Sequence, residues 1–262
     1  RATILRNGSS VGHVTIAETT EREIVDLMIA DSTPAENIRQ EPVDPNAPIR
    51  LNINGLQTDK LKGIDLTLRD GELLGIGGLQ GQGQSDLLMA LFGAIAFRGH
   101  VEIGGQPVHF THPQQAIQHN VTLVPGDRGS EGLLLNRSIL DNIMLPSWSE
   151  YSIPIKMQKA RADADRIGKE LNVVMANLDA PVSSLSGGNA QKIVISKWLL
   201  REPKLLLLND PTKGIDVSAK GELYTLLAEL RKSGTAILFY SSDDEELLGL
   251  CDRILVMHDG IR

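Results

Sequence analysis

Short apolar runs that alternate with helical patterns constrain the fold of this chain more than any other feature. Two of these runs, LLLL at 205–208 and AILFY at 236–240, contain no charged residue. Strands of this kind are buried on both faces, which is typical of a parallel sheet covered by helices. The alternation therefore predicts an α/β domain with a largely parallel core sheet.

The apolar runs define the predicted strands, and the periodic stretches between them define the predicted helices. The predicted strands are Ile64–Leu68, Leu73–Ile76, Val101–Ile103, Val121–Val124, Leu205–Leu208, Ala236–Tyr240 and Ile254–Met257. The predicted helices cover residues 84–93, 113–119, 155–177, 188–201, 217–232 and 243–250. The region from about 138 to 200 is mostly helical, and we expect it to form a separate helical lobe.

Composition limits the class of protein. The 262 residues are 41% hydrophobic and 23% charged, which is ordinary for a globular protein. The formal net charge of −7 argues against recognition through phosphate neutralisation, so we expect no nucleic-acid partner. The single cysteine, Cys251, leaves no internal disulfide and favours a reducing compartment. No apolar run reaches the roughly 18 residues of a membrane span.

The two ends of the chain resemble each other. Residues 1–8, RATILRNG, and residues 253–260, RILVMHDG, both predict a strand that runs into a turn. The first residue is an arginine rather than a methionine, so we expect a piece of a longer protein. We expect residues 1–30 to be the tail of a preceding copy of the domain. The next copy then begins at about residue 49 and continues to residue 262, truncated at its C-terminal end.

The end of the first copy and the segment that follows it have distinct patterns. Residues 19–30, TTEREIVDLMIA, predict a helix with Thr19 or Thr20 at its N-cap. Residues 31–48 contain prolines at 34, 42, 45 and 48 and show no apolar periodicity. Such a composition predicts a linker.

The segment GLQGQGQSD, Gly78–Asp86, lies between an apolar strand and a helical pattern. It fits the phosphate-loop pattern G-x-x-x-x-G-K-[ST], except that Gln84 stands where the lysine belongs. Glycines at this place let backbone N–H groups form an anion-sized nest at a helix N-terminus. A glycine-rich turn without a ligand is the alternative interpretation of this segment alone. Its candidate nucleotide-binding residues are Gly78, Gly81, Gly83, Gln84, Ser85 and Asp86.

Two further segments follow in a characteristic order, LSGGNAQK at 185–192 and LLLLNDPTKGID at 205–216. Their order and spacing after a phosphate loop resemble the nucleotide-binding domain of ATP-binding cassette (ABC) transporters. The resemblance covers about residues 50–262. It implies a P-loop core with a parallel sheet, an antiparallel β portion and a helical subdomain. It also implies ATP and Mg²⁺ as cofactors.

The signature segment LSGG is intact in this sequence. Ser186 has a hydroxyl donor, while Gly187 and Gly188 allow backbone N–H groups to approach an anion at a helix start. The resemblance implies that these residues contact the γ-phosphate of ATP held by the opposite domain of a head-to-tail dimer. It also assigns Gln191 to the signature and Asp216 to the D-loop that couples the two sites. Capping of the following helix is the alternative role of Asp216.

The catalytic set that the resemblance implies departs from the family pattern. Asn209 stands at the position of the Mg²⁺-binding aspartate, and Asp210 stands at that of the glutamate that polarises the attacking water. Ser242 aligns with the switch histidine, and Gly126 aligns with a glutamine near the metal. Ser85, Asn209 and Gly126 are therefore the positions for Mg²⁺. We expect this site not to hydrolyse ATP at a useful rate, although weak nucleotide binding stays open.

The segment VPGDRGSEGLLLNRSILDNI at 124–143 narrows the resemblance within the family. It is similar to the second cassette of tandem-cassette importers for simple sugars, of the ribose, galactose and xylose type. The implied partners are the first cassette of the same polypeptide, membrane permease subunits and, indirectly, a solute-binding protein. The implied location is peripheral, on the cytoplasmic face of the inner membrane. Nucleoside importers and a non-catalytic, dimerising regulatory module remain the alternatives.

Overall fold

The computed structural model describes residues 1–6, 9–20, 23, 24, 27 and 42–261. The strands are β1 (Ala2–Arg6), β2 (Ser9–Val14), β3 (Ile49–Gln57), β4 (Lys62–Arg69), β5 (Leu73–Gly77), β6 (Arg98–Ile103), β7 (Gln106–Val108), β8 (Val121–Val124), β9 (Leu205–Asn209), β10 (Ala236–Tyr240) and β11 (Arg253–Val256). The helices are α1 (Gln84–Leu91), α2 (Pro113–Gln118), α3 (Ile139–Met144), α4 (Met157–Glu170), α5 (Gly187–Leu199), α6 (Val217–Lys232) and α7 (Asp244–Leu250).

A five-stranded parallel sheet forms the centre of the fold. Its strand order is β11-β5-β10-β9-β8, and each neighbouring pair is parallel. Every residue of β5, β8 and β10 is buried, as are the first four residues of β9. Helix α1 packs against β9 and β10, which covers one face of this sheet. The prediction of an α/β domain with a parallel core is confirmed.

A second, antiparallel sheet has the strand order β4-β3-β6-β7. Its central strand β3 was absent from the predicted strands, as were β7 and β2. In β3 the buried residues Leu51 and Ile53 alternate with polar residues, and Gly55 interrupts the pattern. This alternation is the signature of a strand with one buried face, and it was the available signal. The remaining strand predictions hold to within two residues at each end, except that β6 begins three residues before the predicted Val101, and Ile254–Met257 is displaced by one residue to Arg253–Val256.

Most of the predicted helices are present with similar bounds, and helix 217–232 is reproduced residue for residue. The predicted helix 155–177 is wrong at its C-terminal end, because α4 ends at Glu170. Asn172 has a φ of 50°, and the Val173 N–H donates to the Gly168 carbonyl at 2.8 Å. This left-handed residue with its bond back across the last turn is a Schellman cap, which ends the helix.

The N-terminal residues form a separate two-stranded sheet, in which β1 and β2 pair antiparallel. The strand predicted at the start of the chain is therefore present as β1, while its turn residues lie outside the described residues. At the predicted helix 19–30, Thr20 and Glu23 bond reciprocally as a capping box. Most of that helix and of the linker prediction lies outside the described residues.

Helices α3, α4 and α5 pack against one another in the region predicted to be a helical lobe. Helix α5 also reaches the turn after β8, because the buried ammonium of Lys197 donates to the carbonyl of Gly132. Lys197 is 5% exposed, and burial lowers its pKa to about 8. The fold therefore buries Lys197 even though desolvation disfavours its charged form.

We expect the Lys197→Met variant to reveal this burial through the pH dependence of stability. The unfolded chain keeps the proton of Lys197 up to about pH 10.4, whereas the folded chain releases it above pH 8. The stability of the wild-type protein relative to Lys197→Met should therefore rise between pH 8 and 10, by an amount on the order of 3 kcal/mol. Urea unfolding at several pH values measures this difference. The exposed Lys232→Met serves as control, and two parallel wild-type and Lys197→Met curves would contradict the prediction.

Candidate nucleotide site

The candidate site lies at the carboxyl edge of the parallel sheet. Strands β5, β10, β9 and β8 are neighbours in that order, and all of them end at the same edge. The loops that follow them, residues 78–83, 241–243, 210–216 and 125–127, therefore lie side by side. This edge is where open parallel sheets bind ligands.

The loop between β5 and α1 has the backbone that its glycines permit. Gly78, Gly81 and Gly83 have φ angles of 121°, 87° and 105°, in the left-handed region that favours glycine. A Cβ atom at Gly78 would lie 2.3 Å from the carbonyl oxygen of Met257, so a larger residue does not fit. Gly83 caps α1, and the positive end of the helix dipole therefore faces the loop.

The side chain of Gln84 folds back into this loop. Its Oε1 accepts a hydrogen bond from the Gln82 N–H at 3.0 Å, and its Nε2 donates to the Leu79 carbonyl at 2.9 Å. Gln84 is 1% exposed, and its Nε2 lies 3.3 Å from the position of a Cβ atom at Gly78. The carboxamide thus occupies one backbone donor that would otherwise be available to an anion.

The three residues predicted for Mg²⁺ are brought together. The Ser85 hydroxyl donates to Asn209 Oδ1 at 2.9 Å, across 124 residues of sequence. A Cβ atom at Gly126 would lie 3.2 Å from the Asn209 carbonyl, so the two residues pack directly. These side chains supply no anionic oxygen, which makes them a poor set for a hard cation. Among the described residues, no cluster of three or more His, Cys, Asp or Glu side chains offers an alternative metal site.

The residues at the base and switch positions bond to each other. Asp210 Oδ2 accepts from the Ser242 hydroxyl at 2.9 Å, and Oδ1 accepts from the Ser242 N–H at 3.2 Å. Asp210 is buried and has a φ of 50°, and its own N–H donates to the Tyr240 carbonyl. Burial, reinforced by the charge of Asp210, raises the pKa of the Tyr240 phenol. Both carboxylate oxygens of Asp210 are therefore already engaged.

These loops surround an open cavity of about 590 Å³. Three cationic residues that the sequence analysis did not assign to the site, Lys60, Arg128 and Lys213, line it. Lys60 comes from the β3–β4 turn and forms an ion pair with Asp86 at 3.0 Å. Its sequence neighbourhood carries no signal for this role, since only the fold brings the turn to α1. Arg128 and Lys213 belong to the segments that carried the family resemblance, and that context was the available signal.

The signature residues begin helix α5. The Ser186 hydroxyl accepts from the Asn189 N–H at 3.4 Å and so caps the helix. A Cβ atom at Gly188 would lie 3.0 Å from the Ala219 Cβ and 3.5 Å from an Asp216 oxygen. The signature is therefore packed against the loop 211–216 and the start of α6. In the part of the chain that the structure describes, Ser186, Gly187 and Gly188 do not line the cavity beside the phosphate loop.

Gln191 is a buried residue of the signature. It is 4% exposed and lines a separate cavity of about 200 Å³ beside Gly188 and α6. Within the described residues its Nε2 has no hydrogen-bond partner. Gln191 and Gly188 are therefore buried, whereas Ser186 and Gly187 are exposed.

The loop 211–216 is anchored at both ends by carboxylates. Asp216 caps α6 by accepting from the Ala219 N–H at 2.9 Å. At the other end, Thr212 donates to the buried carboxylate of Glu246 at 2.8 Å. Glu246 also accepts from Ser241, Tyr224 and Lys220. The sequence placed Glu246 only within the predicted helix 243–250, and its link to the loops 211–216 and 241–243 depends on tertiary packing.

The phosphate loop after a central parallel strand, the antiparallel sheet and the helical region define a P-loop nucleotide-binding cassette. Solved structures support this fold. A nucleotide-free ATP-binding cassette from an ABC transporter superimposes with a TM-score of 0.71 at 18% identity, over 81% of this chain and 89% of that one. CbiO1 of Clostridium perfringens gives a TM-score of 0.68 at 23% identity, over 82% and 86%.

Sequence comparisons give the family. The sequence model described as ABC transporter matches residues 61–213. The chain is 43% identical to ribose import ATP-binding protein RbsA 1 of Mesorhizobium japonicum, over 99% of this chain and 52% of the relative. It is 40% identical to ribose import ATP-binding protein RbsA of Halalkalibacterium halodurans, over 99% and 52%. The chain belongs to the ABC transporter family and spans about half the length of these relatives.

Proposed function

We propose that the chain is the second ATP-binding cassette of an importer for a ribose-type sugar, and that its own phosphate-loop site does not hydrolyse ATP. The ribose import relatives, matched along nearly the whole chain, support the substrate class. The coverage of about half of each relative supports a tandem arrangement with one further cassette. ABC ATPase domains bind ATP, typically with Mg²⁺, and in this protein we assign both to a site shared between the two cassettes.

The observation that carries the proposal is the carboxamide of Gln84 inside the phosphate loop. It bonds to Gln82 and Leu79 where a lysine would neutralise phosphate charge. A phosphate has to displace the carboxamide from the Gln82 N–H and gains no cation from this position. The residues of this site therefore fit Mg-ATP poorly, and no step of hydrolysis is assigned to them.

The second support is the loss of the charged groups at the metal and base positions. Asn209 is neutral and accepts a hydrogen bond from Ser85, while both carboxylate oxygens of Asp210 accept hydrogen bonds from Ser242. Removal of a positioned base alone lowers enzymatic rates by about 10²–10⁴-fold. The site is also without a switch histidine, since Ser242 stands there.

The signature gives the chain its role in the competent site. Ser186, Gly187 and Gly188 remain intact and lie at the start of a 13-residue helix, away from the chain's own phosphate loop. We propose that they complete the ATP site of the first cassette, while Asp216 and its loop couple the two sites. The first cassette supplies the phosphate loop and the metal ligands there.

We assign residues 1–30 to the preceding cassette and residues 31–48 to a linker, and the two ends of the chain support the first of these assignments. Strand β1 continues into an antiparallel pairing with β2. Strand β11 is followed by an antiparallel bridge between His258 and Ile261 around a turn with positive φ at Asp259 and Gly260. Both ends thus enter a hairpin after equivalent strands, as expected when residues 49–262 form the second copy.

We propose that membrane permease subunits dock on the helical region. Six apolar side chains between residues 134 and 157 are at least 44% exposed: Leu134, Leu135, Leu145, Ile153, Ile155 and Met157. The buried Asn142 of α3 holds the Leu134 backbone with two hydrogen bonds, which fixes this segment beside α3. Among the described residues no helix is long and apolar enough to cross a membrane. We place the chain peripherally, at the cytoplasmic face of the inner membrane.

This docking surface gives a testable expectation. We expect the double variant Leu135→Glu/Leu145→Glu to lower permease-stimulated ATP hydrolysis at least about 10-fold, because charges on an apolar interface must be desolvated. Basal hydrolysis without permease should be unchanged. Leu248→Glu, at a more exposed position on α7, is the control. Equal stimulation of the double variant and wild type would place the permease elsewhere.

The proposal is tested by ATP hydrolysis of the full-length protein reconstituted with its permease and solute-binding protein. We expect ribose to stimulate hydrolysis and uridine to have no effect. Stimulation by uridine alone would favour a nucleoside importer, and no hydrolysis in any condition would favour a non-catalytic module. The isolated chain should not hydrolyse ATP. If it hydrolyses ATP at the rate of the full-length protein, the proposal that its own phosphate-loop site is inactive is refuted.

A further inference from the structure

Arg128 connects three loops that are far apart in the sequence. Its Nη1 donates to the Lys213 carbonyl at 2.9 Å, and its Nη2 donates to the Gly214 carbonyl at 3.1 Å. A Cβ atom at Gly187 would lie 3.2 Å from the same Nη2. One guanidinium therefore touches both the loop 211–216 and the signature.

The turn that carries Arg128 is fixed at both of its ends. Residues Arg128–Gly132 form a π turn, and Asp127 caps it by accepting from the N–H groups of Gly129 and Ser130. Hydrogen bonds with Ser130 and Gly129 lower the pKa of Asp127, so the cap stays ionised at neutral pH. At the far end Lys197 of α5 binds the Gly132 carbonyl. A hydrogen bond from α5, the helix that begins with the signature, therefore holds the end of the turn that carries Arg128.

In its middle, the loop 211–216 is held by two turn hydrogen bonds, from the Lys213 N–H to the Asp210 carbonyl and from the Ile215 N–H to the Thr212 carbonyl, and by Arg128. Glu246 holds Thr212, and Asp216 caps α6, but between them the chain turns through Gly214 with a φ of 68°. The carbonyls of Lys213 and Gly214 both point to Arg128. A planar guanidinium fork matches two adjacent carbonyls, whereas a lysine ammonium is a single point charge.

We infer that Arg128 is a positioning residue that locks the loop 211–216 to the signature, so that both meet the nucleotide of the first cassette as one rigid unit. The inference rests on the proposed function, because it assigns this unit to the competent site. It also explains why the chain keeps an ordered signature and loop beside a silent phosphate loop. Arg128 acts through the two loops and is not assigned any contact with nucleotide.

The test compares Arg128→Met and Arg128→Lys in the full-length protein. We expect Arg128→Met to lower kcat for ATP hydrolysis about 10²-fold, as a misplacement of about 1 Å does. KM for ATP should change less than threefold, because the first cassette's own phosphate loop still holds the nucleotide. Arg128→Lys should retain an intermediate kcat. Amide exchange in residues 212–216 should accelerate in both variants.

Arg166→Met is the matched control, since this exposed arginine pairs with Glu170 on α4 and, among the described residues, has no hydrogen bond to either loop. A purely structural role for Arg128 would lower Tm without separating kcat from KM. If Arg128→Met fails to fold, Arg128→Lys decides, and a wild-type kcat in that variant overturns the inference. If both Arg128 variants keep the wild-type kcat while Gly187→Asp is inactive, the inference about Arg128 is refuted and the proposed function stands. An active Gly187→Asp would refute the proposed function itself.

Discussion

In the full-length protein, Gly187→Asp is expected to abolish transport and to lower ATP hydrolysis by at least about 10²-fold, whereas Asp210→Ala leaves both nearly unchanged. The aspartate places a negative charge at the signature, where we propose that a phosphate of the first cassette's ATP is bound. Two like charges about 4 Å apart repel by about 4 kcal/mol at an effective dielectric constant of 20. The new carboxylate also faces the guanidinium of Arg128 and draws it away from the loop carbonyls.

Two matched variants separate charge from backbone effects. Gly187→Ala adds only a Cβ, which meets the flexible end of Arg128 at 3.2 Å, and should keep most of the activity. Asp210→Asn preserves the shape of a buried residue with positive φ, a conformation that asparagine tolerates well. Radiolabelled ribose uptake and phosphate release measure both activities. Equal losses from Gly187→Asp and Asp210→Asn would refute the asymmetric arrangement.

Gln84→Lys is expected to give the isolated chain measurable affinity for ATP, about 10- to 100-fold above wild type. The substitution removes the carboxamide from the nest and frees the Gln82 N–H. It also adds a cation, and a charge-assisted hydrogen bond contributes about 1.5–3 kcal/mol. Addition of Asn209→Asp should make this gain depend on Mg²⁺, because an aspartate supplies the missing anionic ligand.

Calorimetric titration with ATP and with Mg-ATP measures these affinities. Gln80→Lys is the control, since it adds the same charge to the exposed part of the same loop but leaves the carboxamide of Gln84 in place. A gain confined to Gln84→Lys supports the blocked nest. Equal gains from both substitutions would show that charge alone limits binding, and tight binding by the wild type would refute the blocked nest directly.

Local sequence patterns were sufficient to predict most of the strands and helices of the fold. The runs at 121–124 and 236–240 became strands with the predicted bounds, because a strand buried on both faces must be apolar at nearly every position. Helix 217–232 was predicted equally well from its periodicity and its capping aspartate. Strand β3 was missed because a glycine interrupts its alternation, and α4 was overextended because a single asparagine ends it.

The sequence by itself determined the family, the parallel core and the order of the loops, because each of these depends on short contiguous segments of the chain. Tertiary structure decided what the polar residues of those loops contact. The bonds of Ser85 to Asn209, of Asp210 to Ser242 and of Arg128 to Lys213 span 124, 32 and 85 residues. Periodicity reports the burial of a residue but not its hydrogen-bond partner, because the partner is brought by the packing of other elements. Only the tertiary structure therefore shows that the Gln84 side chain turns back into the phosphate loop and that Lys60 pairs with Asp86 of α1.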